Sequence, residues 1–118
     1  FLSLALQKLP LSIFGNGEEK RDHVYIDYLI DILFKCINRK ASGTLNLVSG
    51  QVSSFRYIAE TIQKKLNIKS KIIRIKRSGP MPHNGYRAFD IKTLNTFFGN
   101  VKKISINDGL NRYIEKFK

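Results

Sequence analysis

The residues best suited to chemistry in this sequence are two arginines and a glycine turn. Gly15-Asn16-Gly17 is followed four residues on by Arg21-Asp22, and Arg77 opens a Gly/Pro-rich loop that runs from Ser78 to Gly85. A guanidinium is a planar fork that grips a phosphate through two parallel bonds, so two of them from separate loops could clamp a diphosphate. The competing role for each is a structural ion pair, Arg21 with Asp22 or Asp27 for instance. Other reactive groups are sparse. His23, His83 and Cys36 fall into no recognisable nucleophilic or metal-binding spacing, so no catalytic or metal-ligating residue is assigned. Glu18-Glu19 reads as a pair of solvated turn carboxylates. Lys20 stands where a dinucleotide fingerprint would need a third glycine, and no P-loop is present.

The elements that must position these residues follow from periodicity. Leu2, Ala5, Leu6 and Leu9 suit a helix ended by Pro10. Leu11-Ser12-Ile13-Phe14 reads as a short strand entering the glycine turn, and His23-Val24-Tyr25-Ile26 as a second extended segment. Asp27 is the expected N-cap of a helix whose apolar stripe is Ile26, Leu29, Ile30, Leu33, Phe34 and Ile37. Cys36 belongs on that helix as a small buried apolar side chain. Thr44 to Val48 is expected as a strand. Ser54 caps a helix with the stripe Phe55, Ile58, Ala59, Ile62 and Leu66. Lys71 to Lys76 is a β-branched strand with a basic face. Asp90 is placed as the cap of a short helix reaching Phe97, and Ser105 with Asp108 has capping-box spacing ahead of Ile106, Leu110, Ile114 and Phe117. Helices separating strands favour parallel pairing, and the pattern is mixed α/β with short strands and helices.

At 118 residues and 42% hydrophobic, the chain suits one compact domain. No apolar run approaches the ~18 residues of a membrane span, so no membrane partner is expected. A single cysteine forms no internal disulfide, which fits a reducing compartment and a cytoplasmic setting. The chain starts at Phe1 and its one methionine is Met81, which points to the tail of something longer. Lys and Arg outnumber Asp and Glu by 21 to 9, a net charge of +12. From Thr61 to Phe89 there are eight basic residues and no acid. A non-enzymatic basic domain binding nucleic acid is therefore the alternative reading. Lysine dominates that stretch and aromatic interleaving is missing, so a solvated surface is the favoured account.

Leu11-Ser-Ile-Phe-Gly-Asn-Gly-Glu-Glu-Lys-Arg-Asp-His-Val-Tyr-Ile-Asp27 resembles the substrate-domain motif of the extended short-chain dehydrogenase/reductases, the NAD(P)-dependent nucleotide-sugar epimerases and dehydratases. Leu45-Asn-Leu-Val-Ser-Gly50 with Ser54 and Ala59-Glu60 is similar to the next block of that family. Arg77-Ser-Gly-Pro with Arg87-Ala-Phe-Asp90, and then Ser105-Ile-Asn-Asp-Gly-Leu110, is similar to the last two. The resemblance implies that residues 1–118 are the C-terminal, nucleotide-sugar-binding portion of a Rossmann-type enzyme, a homodimer when intact. The NAD or NADP site and the catalytic Tyr-x-x-x-Lys would then lie in an N-terminal domain outside these residues, and this portion alone would be inactive. No tyrosine here has a lysine four residues later. Carried over by position, Ser12 and Phe14 match the strand that faces the nucleobase, Arg21 the arginine on the diphosphate, Arg77 the second arginine near the nucleotide, and Arg87 a neighbour of it. The resemblance also implies that the Asp27 helix and the Leu45–Val48 segment pack onto the Rossmann sheet. Asp27-Tyr28 departs from the two acids common there, and Pro80 from an acid after the second arginine's glycine, so the nucleotide and the sugar stay open.

Overall fold

Two short parallel strands cannot be joined by a tight turn, and here a helix makes the crossover. In the computed structural model, which describes residues 1–99 and 101–117, β1 (Leu11–Phe14) pairs in parallel with β4 (Ile72–Ile75), in register from Leu11 opposite Ile72 to Phe14 opposite Ile75. Side chains alternate along β1, with Leu11 and Ile13 buried and Ser12 and Phe14 exposed. The crossover includes α3 (Phe55–Leu66), whose Ile58, Ala59 and Ile62 face inward as their spacing predicts. With Leu2 and Ala5 of α1 (Leu2–Leu6), Leu11 and Ile114 of α5 (Ile106–Glu115), they form the first apolar core. Ser54 caps α3 by accepting from the Tyr57 amide at 3.1 Å, and Ser105 caps α5 through the Asp108 amide at 3.1 Å, both as expected.

A second sheet of three strands has β2 (Lys20–Asp22) at its centre, antiparallel to β3 (Val52–Ser54) and parallel to β5 (Tyr86–Arg87). The extended segment expected over His23 to Ile26 is thus displaced: pairing falls on the three residues before it, and Ile26 already opens α2 (Ile26–Asn38). The cap shifts with it. Tyr25 occupies the N-cap position without a side-chain bond, and Asp27 lies in the first turn, where its charge still favours the helix. Thr44 to Val48 forms no strand, because no ladder partner lies beside it among the described residues. Asp90 accepts from the Lys92 amide at 2.7 Å, one position before the N-cap Ile91 of α4 (Lys92–Phe98).

The second core joins Tyr28 and Ile32 of α2 to Leu94 and Val101, with Cys36 half-buried beside it. The apolar stripe read on α2 lies largely outside this core: Ile26, Ile30, Leu33, Phe34 and Ile37 are exposed. The molecule is a slab, 47 × 38 × 17 Å, with a radius of gyration of 16.5 Å. A compact chain of this length would have roughly 13–14 Å.

One glycine decides how the cores meet the functional loop. Gly17 has φ +69°, and a Cβ there would fall 2.9 Å from Ile13 Cδ1 and 3.0 Å from the Arg56 amide nitrogen. Its carbonyl accepts from that amide at 3.0 Å, which seats the first turn of α3 on the loop after β1.

Candidate functional site

Parallel strands end at the same edge, and ligands of open α/β sheets gather outside those carboxyl ends. Phe14 closes β1, and Arg77 follows two residues after β4, so the parallel register brings them together. The Arg77 guanidinium lies 5.0 Å from the centroid of the Phe14 ring, a cation–π stack. Beside them, Glu19 leads into β2 with its carbonyl accepting from the Phe55 amide at 3.3 Å. The Glu19 side chain is almost wholly buried and accepts at both oxygens: Oε1 from Arg21 and Oε2 from Arg77. A buried carboxylate survives only when paired and hydrogen-bonded, and two guanidinium groups satisfy it here.

Arg21 is held further by donation to the Lys20 carbonyl at 2.9 Å and to the Pro82 carbonyl at 3.4 Å, so the Gly/Pro loop also touches it. Its ion-pair partner is Glu19, two residues back on the same side of the extended chain, where Asp22 or Asp27 was the expectation. Asp22 is engaged on the other face. Its Oδ1 accepts from the Ser49 amide at 3.0 Å and the Ser49 hydroxyl at 2.6 Å, and its Oδ2 from the Gly50 amide at 2.9 Å. This clasp ties the segment after Leu45–Val48 to β2 and fixes the strand that carries Arg21.

Phe14, Ser12, Glu19 and Arg77 line one cleft of about 350 Å³, closed by Phe1, Phe55 and the Gly17 turn. The size suits a small-molecule site, and the mixture suits one too: aromatic walls with a few convergent polar groups. Four of the five residues singled out in the sequence therefore meet here, three lining the cleft and Arg21 joined to it through Glu19. Arg87 does not reach the carboxylate. It stands opposite Arg21 in the β2–β5 register and stacks at 5.2 Å on Phe89, exposed and outside the residues that line the cleft.

Glu19 itself escaped the sequence reading, which placed it in a solvated turn. The signal was its position two residues before Arg21, since alternation puts i and i+2 on one face. Phe55 was also missed as a wall of the cleft. Behind that wall, the His23 ring meets Phe55 edge-on at 5.4 Å. Burial pushes the His23 imidazole below its ordinary value; a hydrogen bond to the Ser53 backbone and the Asp22 carboxylate offset this in part, and the Arg21 charge adds to the lowering. The Tyr28 phenol is pushed up, by burial and by the Asp22 charge, and donates to the Val48 carbonyl at 3.3 Å. No cluster of three potential metal ligands occurs among the described residues, and among them no helix is long and apolar enough to cross a membrane.

No family model matches the sequence. Curated relatives do. The chain is 24% identical over its whole length to UDP-glucuronic acid decarboxylase 4 of Arabidopsis thaliana, of which it covers 26%. It is 27% identical, again over its whole length, to the dTDP-4-dehydro-6-deoxyglucose reductase of Escherichia coli, of which it covers 37%. Among solved structures, 99% of the chain superposes on 38% of a UDP-glucuronic acid 4-epimerase from Bacillus cereus, with a TM-score of 0.76 and 22% identity; that enzyme was captured with UDP-glucuronic acid and NAD. The chain thus spans between a quarter and two-fifths of the length of the proteins it matches. In sequence and in its α/β fold, the chain is similar to the C-terminal portion of the extended short-chain dehydrogenase/reductases, the NAD-dependent nucleotide-sugar epimerases and dehydratases.

Proposed function

We propose that residues 1–118 form the nucleotide-sugar-binding portion of an NAD(P)-dependent epimerase/dehydratase, and that the cleft at the ends of β1 and β4 receives a nucleoside-diphosphate sugar. One observation carries this reading: Arg21 of β2 and Arg77 of the loop after β4 converge on one carboxylate at an aromatic-walled cleft. Phe14 offers its ring face to a base, and Ser12 offers backbone groups on an exposed strand edge. The two arginines take the diphosphate, with Arg87, beside Arg21 on β5, adding positive charge. Each of these groups binds or orients; none is placed to move a proton of the substrate.

The cofactor, NAD or NADP, does not fit these residues. The Gly15-Asn16-Gly17 turn is the one glycine pair with a resemblance to a dinucleotide loop, and its second glycine is filled by Ile13 and the Arg56 backbone. Lys20 stands where the third glycine of such a loop would be, so the turn lacks the close backbone approach a dinucleotide pyrophosphate needs. The redox chemistry therefore belongs outside this chain's described residues, in an N-terminal Rossmann domain. The exposed stripe of α2 supports that arrangement, since it is an apolar surface suited to a neighbouring sheet.

The test is Arg21→Ala in the full-length protein, with UDP-, GDP- and dTDP-sugars titrated calorimetrically. Affinity for the preferred nucleotide sugar should fall about tenfold, the worth of one charged hydrogen bond. Undiminished affinity for every nucleotide sugar would remove Arg21 from the site.

A further inference from the structure

Glu19 is an acid at the centre of a site that we read as binding an anion, and its placement asks for an explanation. Its side chain is 11% exposed, against 18% for Arg21 and 22% for Arg77. Each carboxylate oxygen holds a different guanidinium, so both arginines already have an anion between them. A carboxylate so placed does two things. It holds the two forks a few ångströms apart and turned toward one point. It also opposes any other negative charge that approaches them.

We propose that Glu19 is the specificity-determining residue of the cleft: an internal anion that sets the site for two linked phosphates and turns away a single one. The proposal rests on the reading of the cleft as a nucleotide-sugar site. Arg21 and Arg77 against Glu19 leave one net positive charge, and Arg87, opposite Arg21 on β5, raises it to two. A nucleoside-diphosphate sugar brings one negative charge on each of two adjacent phosphates. Bridging both guanidinium groups, it gains charge-assisted bonds to each, which outweigh the opposition of one carboxylate. A nucleoside monophosphate carries its charge on one phosphorus. It reaches one fork while the other stays with Glu19, and it meets the carboxylate at close range. Without Glu19 the same arginines would accept either ligand, because unopposed guanidinium groups attract any phosphate.

The experiment measures Kd for UDP, GDP and dTDP and for the corresponding monophosphates, in the full-length protein and in Glu19→Gln. Glutamine keeps the shape and removes the charge. The wild type should prefer the diphosphate of its own nucleoside, and Glu19→Gln should narrow that preference by about tenfold, chiefly by tightening the monophosphate. A merely structural Glu19 would weaken both ligands together and leave the ratio unchanged, which would overturn the proposal. So would a wild type that binds the monophosphate as tightly as the diphosphate. If Glu19→Gln does not fold, the ratio is read in Glu19→Ala, which likewise removes the charge; a narrowed ratio supports the proposal and an unchanged one overturns it. A wild type blind to every nucleoside diphosphate is a different failure, of the nucleotide-sugar reading itself, and removes both.

Discussion

Asp22 offers a sharp test of how the site is held. Its carboxylate accepts three hydrogen bonds, from the Ser49 amide, the Ser49 hydroxyl and the Gly50 amide, at 3.0, 2.6 and 2.9 Å. Ser49 is buried, so its amide has no ready substitute partner. Asp22→Asn preserves volume and leaves Oδ1 free to serve Ser49. It also replaces Oδ2 by an NH2 group that faces the Gly50 amide, donor against donor, and removes the charge from the bonds that remain. A hydrogen bond to a charged group contributes about 1.5–3 kcal/mol, so the substitution should cost about 2 kcal/mol. For a chain of this size that corresponds to a drop in Tm of roughly 6–10 °C. Urea unfolding followed by circular dichroism supplies the free energy, and calorimetry the Tm. Asp22→Ala should cost more, since it strips all three bonds and leaves the Ser49 amide buried and unpaired. If Asp22→Asn changes stability by less than about 0.5 kcal/mol, the range of an ordinary surface substitution, the clasp is not what fixes β2.

Two further outcomes follow from the same physical terms. Gly17→Ala should destabilise by about 2 kcal/mol or more, combining the αL cost of a Cβ with its collision against Ile13 and the Arg56 backbone, as read from urea unfolding. His23 should impose an acid-side loss of stability. Its folded pKa is lowered beneath the ordinary 6.5, so above that value both states are neutral and stability is complete. As pH falls below it the unfolded chain takes up a proton that the folded chain declines, and stability drops until pH passes the folded value. Unfolding at about pH 7.5 and about pH 5.5 should show a larger loss for the wild type than for His23→Gln, and equal losses would refute this origin.

How much of this was legible in the sequence depends on what each signal reports. Helices α3 and α5 were, because Ser54 and Ser105 announce their starts and the 3.6-residue spacing gives the buried faces. Strand β1 was, through alternation between Leu11 and Ile13 and their exposed neighbours. Strand β2 was not. Lys20-Arg21-Asp22 has no apolar residue, and it is a strand because β3 and β5 supply ladder partners, a non-local fact. The error over Thr44–Val48 is the converse: a strand-like pattern with no partner beside it among the described residues. For the site, arginine chemistry pointed to Arg21 and Arg77 and the register of β1 with β4 explains why Phe14 joins them. The carboxylate between them was hidden in an acidic doublet after a glycine turn, where composition alone reads as solvent.

Helix α2 shows why periodicity and burial must be kept apart. Its sequence carries Ile26, Ile30, Leu33, Phe34 and Ile37 on one stripe, yet the residues it buries are Tyr28 and Ile32, on the opposite face of the helix. Apolar residues thus occupy more of its circumference than one core contact uses. A surface helix of a self-sufficient domain has one apolar stripe and an opposite polar face, whereas a helix apolar on two sides is one that is covered on two sides. Here the inner side meets Leu94 and Val101, and the outer side is an open row of five large residues, with Phe34 and Ile37 exposed to 61% and 69%. Net charge points the same way. The +12 of the chain first suggests an anionic polymer, but the arginines that converge on a cleft are Arg21 and Arg77, both held by one carboxylate. The two-cored layer thus carries an uncovered apolar helix face on one part and a small aromatic, arginine-bearing cleft on another, two surfaces that periodicity and composition do not tell apart.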